Sequence, residues 1–277
     1  MKMRKAKLQT FLLTLCAAFT ALFFLSPYLV MLFTSLKPTS ELFASPIRLL
    51  PIRWLFSNYT QVWRVAPIGK YLGNTLIIAG TSTIIVMLVA VPAAYATARM
   101  NFRGRGMYMG LVLLTQMFAP VALLVGLYRE LVLVGLVDTL TALIITNAAF
   151  NLAFAVWILN GYFSSIPYEI EEAAIVDGCG RFAVLWRIVL PLALPGLVTA
   201  LIFTFIAAWN EYVLALTVIS SPGKEPISIG VTSFIGKYNV DYQYLFAASL
   251  IAIVPVVILF ALIEKRLVEG LTAGGIK

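Results

Sequence analysis

Long apolar runs separated by short polar segments dominate the chain. A helix needs about 20 apolar residues to cross the bilayer core. Six runs meet that length, over residues 8–36, 71–98, 107–127, 140–162, 192–219 and 244–263. Asn147 and Asn151 interrupt the fourth run, and Pro255 lies inside the sixth, where a proline removes a backbone donor and kinks a helix. The pattern predicts an all-α membrane protein with six transmembrane helices. No internal repeat or linker divides the chain, so one transmembrane domain is expected over 1–277.

An even number of spans puts both termini on one side of the membrane. With the N-terminus inside, the inner segments hold twelve of the twenty Lys and Arg residues, including the tight basic turn Arg99, Arg103 and Arg105. The positive-inside rule then predicts an N-in, C-in orientation. Lys2, Arg4, Lys5 and Lys7 precede the first run, as in a signal peptide, but the run extends over 8–36. A signal core is about 7–15 residues long, so an uncleaved first span is expected. The first outer segment, 37–70, carries Trp54, Tyr59, Trp63 and several prolines. It reads as an aromatic belt at headgroup level, with a ligand site as the alternative. The last outer segment, 220–243, is rich in turn residues such as Pro222, Gly223 and Pro226.

Composition agrees with this picture: 61% of the 277 residues are hydrophobic and 12% are charged. Soluble domains have about 45–50% and about 25%. The net charge of +8 sits largely at the ends of apolar runs, where it orients helices, so no nucleic-acid partner is expected. Cys16 and Cys179 make neither a disulfide framework nor a metal site. There is no histidine, and no nucleophile motif, so no catalytic residue and no metal ligand is assigned. The chain also carries no Gly-x4-Gly-Lys-Ser/Thr phosphate loop. Any ATP that powers it must be bound by another polypeptide.

The segment 163–191 is a polar island between two apolar runs. Ser164 and Ser165 offer N-cap hydroxyls, and Pro167 suits a first helical turn. Glu169, Glu171 and Glu172 follow in the first turns, where the helix dipole favours anions. Asp177-Gly178 ends that helix, and residues 181–189 read as a second short helix stopped by Pro191. The product is a helix–turn–helix at the membrane surface. On physics alone it is either an amphipathic interfacial hairpin or a docking element.

Glu172-Ala173-Ala174, then Asp177-Gly178, Ile188 and Leu190-Pro191 resemble the "EAA" loop of bacterial ABC-importer permeases. Cys179 and Leu185 depart from it, standing where Ala and Phe are usual. Asn74-Thr75-Leu76, the end of the second run at Ala94 to Arg99 with Phe102 to Arg105, Trp209-Asn210-Glu211-Tyr212 and the tail 270–275 resemble the maltose-type carbohydrate branch. The resemblance implies the type I importer permease fold, multi-pass in the bacterial inner membrane. It implies a heterodimer with a second, homologous permease, two ATPase subunits that bind ATP and Mg, and an external sugar-binding protein. It also implies that Glu172, Ala173, Ala174, Asp177 and Gly178 form the surface that couples to the ATPase, through a cytoplasmic coupling helix.

Polar residues inside spans are costly and often functional. Asn147 and Asn151 share one helix face, four residues apart. Asn210 and Glu211 lie in the fifth run, flanked by Trp209 and Tyr212. Amide, carboxylate and aromatic groups suit a hydroxylated ligand, so these four residues are candidates for a substrate pathway. Hydrogen bonding that glues the bundle is the competing reading. An ion-coupled secondary transporter of a small polar solute is the alternative function, with Glu211 as its only serious ionisable candidate.

Overall fold

A computed structural model describes residues 2–46, 48–236 and 238–273, with side chains over 10–46, 48–236 and 238–263. Gly274 and Gly275 of the tail motif, Lys237 and Lys277 lie outside the described residues, as do the side chains of Lys2, Arg4, Lys5 and Lys7. The helices are α1 (Lys2–Ser35), α2 (Thr39–Leu42), α3 (Asn58–Val65), α4 (Ile68–Arg99), α5 (Arg105–Met117), α6 (Pro120–Leu133), α7 (Leu140–Ser165) and α8 (Tyr168–Val176). They continue as α9 (Arg181–Val184), a π-helical turn over Leu185–Val189, α10 (Leu190–Leu192), α11 (Leu194–Trp209), α12 (Val213–Val218), α13 (Ile227–Gly230) and α14 (Tyr242–Ala273). Among the described residues there is no strand, only the isolated bridge between Ile235 and Val240.

Four helical stretches are long and apolar enough to cross a membrane: Thr10–Ser35, Ile68–Arg99, Leu140–Ser165 and Tyr242–Ile263. The other two expected spans are not straight. The third is broken into α5 and α6, bent by 97°; the fifth, expected over 192–219, is helical as α11 only to Trp209, and α11 meets the preceding Arg181–Leu192 stretch of the polar island at 81°. Six spans result if each bent pair counts as one. Proline explains both breaks. Ala119 precedes Pro120 and is extended, as the ring of a following proline requires. Pro195 opens α11, where its missing N–H costs nothing. At about 1.5 Å per residue, the 13 residues of α5 or the 16 of α11 alone fall short of a bilayer core of about 30 Å. Pro255, by contrast, is absorbed within α14. Asn147 and Asn151 do not interrupt α7, because each turns its amide back onto a carbonyl four residues earlier.

The chain packs as two compact units, Met1–Pro67 with Val231–Ile253, and Ile68–Gly230 with Val254–Lys277. In the first, Asn58 Nδ2 donates to the carbonyls of Ser35 and Lys37 and so ties the end of α1 to α3. The Glu41 carboxylate accepts the backbone N–H groups of Ile52 and Arg53. Among the described residues of the expected loop 37–70, Trp54 and Trp63 are about half exposed. Along α1, Phe11, Phe19 and Phe24 are exposed, which suits a helix solvated by lipid.

The second unit is built on α4, α7 and α11. Its core joins Val86, Ala90 and Ala94 of α4 with Ala155, Leu159 and Phe163 of α7 and Ala200 of α11. Small side chains let membrane helices approach closely. Gly196 shows the limit: a Cβ there would sit 2.3 Å from the Tyr162 ring. At the other end of α4, Asn74 Nδ2 donates to the carbonyls of Gly223 and Glu225, and Thr75 Oγ1 accepts the N–H of Ile227. Asn74 and Thr75 thus pin the start of the turn-rich segment.

Candidate coupling hairpin and polar cavity

The polar island folds as a hairpin, with two corrections at its ends. α7 runs on to Ser165, so Ser164 and Ser165 belong to its last turn, and Ser165 Oγ donates to the Tyr162 carbonyl. Extended Pro167 takes the cap position of α8 instead. Pro191 does not stop the second helix. The Leu190 N–H reaches back to the Leu185 carbonyl in the wide π register, and the path continues to Leu192 before breaking at Ala193. α8 itself ends as its sequence requires. Asp177 caps it, and Gly178 takes φ +86°, a left-handed conformation that glycine adopts without steric cost.

The five candidate coupling residues do not all face outward. Glu172, Ala173, Asp177 and Gly178 are exposed, whereas Ala174 is buried in the core shared with α4 and α7. Beside the exposed four, Ile170, Ile175 and Val176 present apolar side chains, Val176 being 86% exposed. Phe182 and Trp186 of the following turn are also exposed. Apolar side chains clustered on an exposed polar hairpin mark a surface suited to a protein partner or to the membrane.

Glu171, which sequence reasoning grouped with the surface acids, is 1% exposed. Its carboxylate pairs with Arg99 Nε at 2.5 Å and accepts a hydrogen bond from Tyr95 Oη at 2.9 Å. Arg99 Nη2 also donates to the Ile166 carbonyl at 2.7 Å, and the guanidinium lies 5.8 Å from the centre of the Tyr168 ring. Glu171 and Ala174 are the only buried positions of α8, three residues apart on one face. The signal was legible only in part: an acid beside a basic helix end hints at pairing, but their sequence separation hides which acid pairs.

The four candidate pathway residues, by contrast, meet. Asn147 and Asn151 of α7, with Asn210 and Glu211 after α11, line one cavity of about 410 Å³ together with Gln116, Phe150 and Tyr212. Trp209 does not line it; it is buried and stacks on Phe205 at 5.5 Å. Asn147 and Asn151 spend their Nδ2 groups on α7 carbonyls, leaving oxygens for a partner. Glu211 is engaged locally. Its Oε1 and Oε2 accept the N–H groups of Leu214 and Ala215, at 2.7 and 2.9 Å, so it caps α12. Tyr212, the flanking aromatic, does line it, whereas Phe150 and Gln116 escaped sequence reasoning, since an apolar run does not tell which of its faces lines a cavity. No lysine or arginine is among the lining residues.

Beyond α6, Asp138 holds two loops together. Its carboxylate accepts the N–H groups of Ser220 and Ser221, the Ser221 hydroxyl and Lys224 Nζ. These bonds, the Ser221 hydroxyl first, hold its pKa well below the usual carboxylate range.

With this geometry in place, comparison with known proteins is informative. The family model described as "binding-protein-dependent transport system inner membrane component" matches residues 87–271. The chain is 37% identical, over 91% of its length and 89% of the relative's, to the sulfoquinovosyl glycerol transport system permease protein SmoH of Agrobacterium fabrum. It is 33% identical, over 99% of both, to the trehalose/maltose transport system permease protein MalG of Thermococcus litoralis. Among solved structures, it superposes on a bacterial ABC transporter involved in the import of the acidic polysaccharide alginate. The TM-score is 0.80 and the identity 24%, over 95% of this chain and 97% of that one, which shows a shared fold.

Proposed function

Because the chain belongs to the family of binding-protein-dependent transport inner membrane components, and so is an ABC-importer permease subunit rather than an enzyme, we propose that it forms half of a carbohydrate pathway and couples to an ATPase through residues 163–191. The observation that carries this reading is the long similarity to permeases whose names specify sugars or sugar conjugates. The whole chain, 1–277, acts as one permease domain in the inner membrane, N-in and C-in. Support comes from a family match that takes residues from both compact units. A second, homologous permease completes the pathway. Two ATPase subunits supply the ATP and Mg chemistry, since this chain carries no phosphate loop of its own. An external binding protein delivers the cargo.

The exposed face of α8 is the docking surface, and Glu172, Ala173, Asp177 and Gly178 lie on it. Ala174 contributes from beneath, since its small side chain lets α8 sit close to α4 and α7. The cavity bearing Asn147, Asn151, Asn210 and Glu211 is this subunit's contribution to the pathway. Its amide oxygens suit hydroxyl donors, and Phe150 and Tyr212 suit the C–H faces of a sugar ring.

Purification of the tagged chain in mild detergent, followed by mass spectrometry, tests the reading. Recovery of a second permease and an ATPase, with the ATPase lost in a Gly178→Pro variant, is expected. A stable homo-oligomer without an ATPase overturns the assignment and returns the ion-coupled carrier.

A further inference from the structure

α8 touches the rest of its own chain through a very small footprint. Only Glu171 and Ala174 of its nine residues are buried. Ala174 offers one methyl group to the core. Glu171 offers a carboxylate held by Arg99 and by Tyr95 Oη, both from the last turns of α4. Arg99 also holds the Ile166 carbonyl, just before α8 begins. Apolar contacts are non-directional and tolerate sliding. A buried ion pair does not, because displacing either partner leaves an uncompensated charge in a poor solvent. α4 in turn packs along α7 and α11, and residues of α7 and of the end of α11 line the polar cavity.

We propose that the Arg99–Glu171 pair, closed by the Tyr95 hydroxyl, is the rigid joint that delivers force from the docking helix α8 to the transmembrane helix α4. Glu171, Arg99 and Tyr95 are positioning residues in this role. Glu172 and its exposed neighbours meet the ATPase, while Glu171 turns the opposite way and grips the span. The proposal rests on the reading of residues 163–191 as the ATPase-docking loop.

The test uses the whole complex, with its partner permease, ATPase and binding protein, reconstituted in proteoliposomes. ATP hydrolysis and cargo uptake are measured on the same vesicles. Glu171→Gln keeps the shape and removes the charge. It is expected to retain the ATPase subunit and its hydrolysis, while uptake per ATP falls about tenfold or more. Equal uptake per ATP in Glu171→Gln and the native complex overturns the joint and leaves docking intact. Absence of any ATPase in the native preparation overturns the docking reading itself, and the joint with it. If Glu171→Gln does not assemble, Tyr95→Phe replaces it, since it keeps the ion pair and removes only one donor. A partial loss of uptake per ATP, with hydrolysis unchanged, supports the joint; no loss overturns it. A role confined to stability would lower the amount of complex without changing that ratio.

Discussion

Glu211 stands where the chain leaves α11 and must turn before α12 can begin. Both of its oxygens are spent on the first free N–H groups of α12. This places it in the lining of a cavity as a structural cap, whatever passes by. Removing a side-chain cap costs about 0.5–2 kcal/mol. Glu211→Ala is therefore expected to lower the thermal stability of the purified complex, as followed by differential scanning fluorimetry. Asn151→Ala, whose amide only folds back onto its own helix, is expected to leave the melting temperature nearly unchanged and to reduce uptake. Asp138 gives a residue-scale prediction in pH. Its folded pKa is lowered, so its stabilising contribution is complete above the unfolded value of about 3.8 and fades as pH falls below it. The protection factors of the Ser220 and Ser221 amides against hydrogen exchange should fall on acidification below that value. Asp138→Asn should show much of the same loss of protection at neutral pH.

At the scale of the element, the hairpin depends on one backbone conformation. Gly178 has φ +86°, and a Cβ added there meets nothing within 4 Å. The cost of a substitution is therefore conformational rather than steric, about 1–2 kcal/mol for an ordinary L-residue. Uptake rates should rank native above Gly178→Asn, and Gly178→Asn above Gly178→Val, because Asn visits the left-handed region more readily. Gly178→Pro cannot adopt a positive φ at all and should abolish uptake while membrane insertion persists. Equal uptake in Asn and Val variants would sink the conformational account. The bent pairs belong to this scale too. α5–α6 turns by 97° inside the third expected span, where free backbone groups are expensive, so that bend has to be covered by protein rather than lipid, whereas the 81° turn before α11 lies where the polar island joins the fifth.

For the molecule as a whole, charge is distributed with a purpose. Basic residues such as Arg103 and Arg105 stand at the ends of apolar runs, while the lining of the polar cavity has none. An anion entering it would meet amides, aromatic rings and a carboxylate, without a cation to offset its desolvation. Uptake by the reconstituted complex should therefore be competed by neutral sugars and polyols far better than by their sulfonated or uronic counterparts. Equal competition by both would mean that the partner permease supplies the charge selection.

The sequence alone determined what depends on local sums. Apolar runs located the spans, because transfer to a bilayer is nearly additive along a helix. Capping and turn residues located the hairpin, because Asp177 and Gly178 act on their own backbone. The candidate pathway asparagines stood out because polar groups in apolar runs are rare. Tertiary structure decided what depends on direction and on distant partners. It turned Ala174 inward and left Val176 outside. It paired Glu171 with a tyrosine 76 residues earlier, and it brought Asn147 and Glu211 to one cavity. It also broke the third span at a proline that a hydropathy sum does not register. Hydropathy adds along a chain without regard to direction, whereas a buried charge is stable only where a specific partner has been folded beside it.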